Sequence, residues 1–159
     1  MAFFPCVRFE QQALLLFRGD VSQAKNWSIE KKLEYDIKVH QELHDLYVLI
    51  TKLVLICLDR KLKLIIENPY STQHYLTRYW CLQPKLIDVD RRETGDYYKK
   101  PTQYWFVNCD PKNTFIFEGV DIKKSKQVIY ANKVDRSMIS SDYANRFIRE
   151  FILDEEGNL

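Results

Sequence analysis

A thiol and a carboxyl group are the two side chains in this sequence whose positions suggest chemistry. Cys6 follows Pro5 at the end of the short apolar run Ala2 to Phe4, and Glu67-Asn68-Pro69 closes a second, β-branched run, Leu62 to Ile66. A cysteine thiolate is a nucleophile, and a positioned carboxyl group is a general acid. Read as strands joined by a helical stretch, the two runs make a right-handed βαβ crossover and lie parallel, about 4.8 Å apart if they are neighbours. Open α/β sheets bind ligands at the carboxyl ends of such strands. Cys6 and Glu67 are therefore expected to project into one crevice at that edge.

Other candidates carry less. His40 and His44 stand four apart, but Gln41 occupies the place where a HExxH zinc site has its glutamate, and no third ligand is evident. They read as core or half-buried histidines, and no metal is expected. Tyr97, Tyr98, Tyr104 and Trp105 flank Lys99 and Lys100, a mixture able to stack bases and hold phosphates. The same pattern also suits a hairpin with aromatic cross-strand pairs and a solvated tip.

The elements that must position these groups follow from periodicity. Residues 5–27 have no clear period and form a loop longer than the usual βα connection. Ser28 is a plausible N-cap for a helix running to about Arg60. Ile29, Leu33, Ile37, His40, His44, Tyr47, Thr51, Val54 and Leu58 step by three or four and predict its core-facing stripe. At 1.5 Å per residue this helix approaches 45 Å, so a break or bend is expected. After the strand at Leu62 to Ile66 come a short helix over Thr72 to Trp80, opened by Ser71, and strands at Lys85 to Val89 and Gln103 to Asn108. The polar segment Asp90 to Asp96 joins those two strands as a hairpin-like pair. Thr114 to Phe117 and Gln127 to Tyr130 are weaker strand candidates. Ser140 or Ser141 caps a closing helix to about Leu153, with Tyr143, Phe147 and Phe151 on one face.

Composition bounds the class. The chain has 159 residues, 46% hydrophobic and 29% charged, which is one globular domain with a substantial core over 1–159, and the element order above makes it α/β. A net charge of +2 rules out a general phosphate clamp but leaves room for a local basic face. Cysteines 6, 57, 81 and 109 lack CxxC spacing, which excludes a zinc knuckle or thioredoxin motif. Met1 to Pro5 is no signal peptide, and the longest apolar stretch, Leu46 to Leu58, contains Lys52 and is too short to span a bilayer. A cytoplasmic protein with no membrane association is expected.

Phe4-Pro5-Cys6 after one strand and Glu67-Asn68-Pro69 after another resemble the DNA cytosine-5 methyltransferases, where a Pro-Cys motif supplies the nucleophile and a Glu-Asn motif grips the flipped base. The segments Gly95 to Phe106, Arg136 to Ser140 and Tyr143-Ala144 are similar to short phage and prophage members. The resemblance implies a truncated Rossmann-like methyltransferase sheet: a parallel βαβ unit followed by a β-hairpin and a closing helix. It implies Cys6 as the nucleophile that adds to cytosine C6, Glu67 as the acid near N3 and N4, and Asn68 as its positioner. It also implies an arginine near the thiol, for which Arg91 or Arg92 is the positional candidate. The loop after Cys6 would close over a nucleotide taken out of the duplex. Arg8, Arg18 and Lys25 there, with Lys99 and Lys100, are the expected phosphate contacts.

The family's cofactor portion precedes its Pro-Cys strand, and only five residues precede Cys6 here. The expectation is thus a carboxyl-terminal half that would need a separate amino-terminal half to use S-adenosylmethionine, inactive alone, in the cytoplasm of a bacterial host. A protein partner or homodimer is expected to cover the face so exposed. Two competing readings are a non-catalytic phage protein that inhibits a host defence nuclease, and a plain DNA-binding module.

Overall fold

The computed structural model describes residues 1–6, 8–9, 24–112 and 138–153. They form a small α/β unit around an open, mixed, four-stranded sheet. The strands are β1 (Ala2–Phe3), β2 (Leu64–Pro69), β3 (Leu86–Asp88) and β4 (Thr102–Val107) in the order β1-β2-β4-β3. The helices are α1 (Ile29–Asp59), α2 (Tyr75–Tyr79) and α3 (Ser141–Phe147). β1 runs parallel to β2, as the crossover predicts. β3 and β4 are the expected antiparallel pair, and β4 also lies antiparallel to β2, so it occupies the centre of the sheet. Segments 114–117 and 127–130, predicted as strands, lie outside the described residues.

Alternation along β2 and β4 assigns the two faces. Leu64 and Ile66 with Trp105 and Val107 meet Leu43, Ile50, Val54 and Cys57 of α1 and Leu76 of α2. Tyr104 and Phe106 meet Tyr143, Phe147 and Phe151 on the other side. Covered on both faces, all six residues of β4 are buried.

Ser28 caps α1 as predicted, its hydroxyl accepting from the Lys31 amide at 3.3 Å. The expected break does not occur. Residues 29–59 contain neither glycine nor proline, so the usual causes of a kink are missing. At its end Lys61 takes a left-handed φ of 54°, the Leu62 amide reaches back to the Cys57 carbonyl at 2.9 Å, and Asn108 Nδ2 donates to the same carbonyl at 2.7 Å.

The predicted core stripe of α1 holds only in part: Val54 is buried and Tyr47 packs against the core, but most of the stripe does not meet the sheet. The buried positions are Val39, Leu43, Ile50, Val54 and Cys57, whereas Ile29, Leu33 and Ile37 are exposed. His40 and His44, expected in the core or half-buried, are exposed. The helix carries apolar residues on two faces, and period alone does not say which one meets the sheet.

Three boundaries also move. β2 continues through Glu67, Asn68 and Pro69 instead of stopping at Ile66, because β4 pairs with all three. α2 is shorter than predicted and is preceded by His74 at its N-cap, while Ser71 accepts from the Gln73 amide in the turn before it. The closing helix begins at the Ser140 cap but widens into a π-helix over Ile148–Ile152.

Candidate functional site

The parallel register sets Phe3 opposite Glu67. Pro5 and Cys6 therefore leave the sheet at the end where Glu67 and Asn68 lie. Two contacts fix that exit. Asn68 Nδ2 donates to the Phe4 carbonyl at 3.2 Å, and the Phe9 amide donates to the Cys6 carbonyl at 2.8 Å, closing a tight turn. Phe9 is fully buried against His74 and Tyr75, with ring centroids 6.0 and 6.1 Å away, and its carbonyl accepts from the Tyr75 amide at 2.7 Å. The half-buried Cys6 is thus held between a strand end and a buried aromatic anchor.

Asn68 belongs to a buried polar chain on the α1 face. Its Oδ1 lies 2.9 Å from His74 Nε2, and His74 Nδ1 lies 3.3 Å from Gln103 Nε2. Because both Asn68 amide protons go to the Phe4 and Glu67 carbonyls, its oxygen accepts, and His74 carries its proton on Nε2. Gln103 Nε2 also donates to the Pro69 carbonyl at 2.8 Å, and its oxygen accepts from Thr77 at 2.9 Å. Each of these amide and imidazole groups is satisfied with the ring neutral, and burial pushes His74 down to about 4.

Glu67 points to the opposite face, beside its cross-strand neighbour Tyr104. It is only 7% exposed, and burial holds its carboxyl above the usual range, against the pull of Lys100 and Arg91. A carboxyl group so placed stays protonated to higher pH and can donate a hydrogen bond. Phe3, on the same face and next to it, is 58% exposed.

Beyond Glu67 lies a second buried polar cluster, built by the turn between β3 and β4. Asp90 caps a 3₁₀-helix, Arg91–Thr94, by accepting from the Arg92 amide at 3.1 Å. Gly95 ends it with a φ of 101°, a conformation that suits glycine, and its carbonyl accepts from Ser140 at 2.8 Å, tying α3 to the turn. Arg91 is fully buried. It pairs with Asp96 and lies 4.3 Å from the ring centroid of Tyr143. Asp88 accepts from the Asp90 amide at 3.0 Å and from Thr94 at 2.8 Å, and burial raises its carboxyl. The Tyr104 and Tyr143 hydroxyls bond to each other, and burial pushes both well up, so they remain neutral.

Of the residues singled out from sequence, the fold thus brings Pro5-Cys6, Glu67 and Asn68 to one sheet edge. Arg91 and Lys100 lie close enough to Glu67 to act on its charge. Arg92 turns away to Asp90, with Nε 2.8 Å from the carboxylate. Arg8 is tied to Glu42 of α1, its Nε 2.6 Å from Oε2. Lys25 and Lys99 are exposed, and Arg18 lies outside the described residues. His74, Gln103, Thr77 and Phe9, which carry much of the positioning, were not singled out; the polar pairs Gln73-His74, inside the predicted short helix, and Thr102-Gln103, at the start of the predicted strand, were the available signal. Among the described residues no cluster of three or more metal-ligating side chains occurs, and no helix is long and apolar enough to cross a membrane.

No protein-family model, curated protein or solved structure matches the chain.

Proposed function

We propose that this chain performs the acceptor side of cytosine C5 chemistry on DNA, as the base-handling half of a methyltransferase-like protein of phage or prophage type. One observation carries the reading: Cys6 follows β1 and Glu67-Asn68 lie at the carboxyl end of the adjacent parallel β2, and Asn68 bonds the Phe4 carbonyl two residues before the thiol. Cytosine C5 becomes nucleophilic only after something adds to C6. In this reading the Cys6 thiolate adds there, while the neutral Glu67 carboxyl donates toward N3 and stabilises the electron pair moved into the ring. Asn68 is a positioning residue. Its buried amide fixes the strand exit that aims Cys6.

The donor fits poorly. A Gly-rich turn between a strand and a helix is what cradles a nucleoside-bearing cofactor in such sheets. The one glycine among the described residues, Gly95, closes the turn beneath α3, where an added Cβ would stand 3.5 Å from Asp142 Cβ. The described residues therefore offer S-adenosylmethionine no such cradle, and in this reading the donor is held outside them.

A pyrimidin-2-one base in DNA tests the reading, since it lacks the exocyclic amine and accepts a thiolate at C6 readily. Incubated with a single-stranded or mismatched oligonucleotide carrying it, the protein should gain the oligonucleotide mass through Cys6. Cys6→Ala should gain nothing. Equal capture by Cys6→Ala, or capture through the exposed Cys81, would overturn the assignment.

A further inference from the structure

The face of α1 that the described residues leave exposed has a symmetry of its own, and from it we infer that two copies of this chain pair α1 against α1, antiparallel, about a two-fold axis at His44. Ile29, Leu33, Ile37 and Leu58 belong to the stripe that sequence periodicity marks, Leu55 lies beside it one turn after Thr51, and all five are between 49% and 71% exposed. The face that α1 does bury, Val39 to Cys57, is a different one. A helix apolar on two sides has room for two partners, and the sheet is only one of them.

The spacing selects the second partner. Along this face Leu33 and Leu55 stand eleven residues either side of His44, Ile37 and Thr51 seven, and His40 and Val48 four. Ile29 and Leu58 stand fifteen and fourteen residues away. Laid antiparallel on itself about His44, the stripe sets leucine on leucine and Ile29 on Leu58. A two-fold interface needs this property, because one patch must be its own complement.

Charge agrees with the same register. Glu34 and Lys52 are eighteen residues apart, five turns of helix, so they lie on one flank of the stripe. In the antiparallel pair each Glu34 comes opposite the other copy's Lys52, twice over. Both are exposed, and neither is ion-paired within the chain among the described residues. A parallel pairing would instead leave Glu34 of one copy and Lys52 of the other eighteen residues apart along the axis, too far to meet. Like charges meet at the outermost turns, Glu30 with Asp59, and at the axis, where Asp45 faces its own copy. The helix of 31 residues is about 46 Å long, so the two apolar ends of the stripe lie far enough apart to pair end for end. Thr51 accepts from Trp80 Nε1 at 3.3 Å, so α2 borders the stripe at its middle without covering its two apolar ends.

Light scattering and sedimentation equilibrium on the full chain at about 50 µM should give twice the monomer mass. Leu33→Glu and Leu55→Glu should each weaken association more than about tenfold, as loss of a central anchor does, with the circular dichroism of the wild type retained because neither side chain is buried. Glu34→Lys alone and Lys52→Glu alone should each loosen the dimer, while a one-to-one mixture of the two should restore it as a heterodimer. His44→Cys should form a disulfide-linked dimer through residue 44 under mild oxidation, identified by mass spectrometry of the joined peptide. Ile29→Cys should not, because its two copies lie at opposite ends. A monomer at this concentration overturns the proposal. So does a dimer indifferent to Leu33→Glu and Leu55→Glu, a mixture no tighter than its components, or cross-linking through residue 29 in place of 44. None of these readouts involves Cys6 or DNA, so their outcome is separate from that of the acceptor chemistry.

Discussion

Replacing His74 by glutamine probes the buried chain that aims the Pro-Cys exit. His74 Nε2 donates to Asn68 and Nδ1 accepts from Gln103, an arrangement that only the neutral ring satisfies. Burial lowers the group from 6.5 to about 4. A base with a depressed folded value binds more protons unfolded than folded between those two limits, so stability rises with pH across the window and is lost as pH falls through it. A tenfold change in proton affinity is worth about 1.4 kcal/mol, so the interval amounts to about 3 kcal/mol. His74→Gln does not titrate. It should cost about 2 kcal/mol at pH 7, where a satisfied buried network is disturbed. That deficit should shrink as pH falls from 6.5 toward 4 and approach zero or change sign at the lower end. Glu67 and Asp88 are raised by burial and contribute with the opposite sign, losing stability as pH rises, but both proteins share them and they cancel in the difference. Urea melts of the pair at pH 7, 6, 5 and 4.5 read the effect directly. Parallel stability profiles across that range would refute the neutral, doubly bonded His74 and the network built on it.

Asn68→Ala should destabilise the fold by about 3 kcal/mol, since it orphans the buried His74 Nε2–H and the Phe4 carbonyl, and should speed alkylation of Cys6 by iodoacetamide as the strand exit loosens; urea melts and timed mass spectrometry measure the two. Asp96→Ala leaves the fully buried Arg91 charge without its partner and should cost about 3 to 5 kcal/mol, whereas Arg91→Met with Asp96→Leu should recover much of the loss in the same melts. Incubated with labelled S-adenosylmethionine and cytosine-containing duplex, the isolated chain should transfer no methyl group, and Cys6-dependent label on DNA would show that it holds the donor by itself.

The parts of this fold that follow from local rules were readable in the sequence. Ser28 and Ser140 announce their helices because a side-chain oxygen before an apolar period satisfies an orphan amide, and both do so here. The parallel neighbours β1 and β2 follow from the handedness of a βαβ crossover, so the placing of their carboxyl ends at one end of the sheet was legible as well. Long-range choices were not. Nothing in Thr102 to Val107 says that it will insert beside β2, yet that insertion draws Glu67, Asn68 and Pro69 into the strand and delivers Gln103 to His74. The phase of α1 was hidden for a related reason, because two apolar faces have the same period and only the tertiary fold selects Val39 over Ile37. Arg91 entered only as a positional candidate for an arginine near the thiol. Its burial depends on Asp96 and on Tyr143, a residue 52 positions away.

Exchange at cytosine C5 tests the central claim without any donor. If Cys6 adds to C6 and the ring is stabilised by Glu67, C5 takes a proton from water; loss of the original C5 hydrogen and departure of the thiolate then restore cytosine. Single-stranded DNA carrying tritium at cytosine C5 should therefore release label into water in the presence of the protein. Release should vanish with Cys6→Ala and fall at least about tenfold with Glu67→Gln, the scale of a general acid removed. A folded wild-type protein that releases no more label than Cys6→Ala would contradict the account.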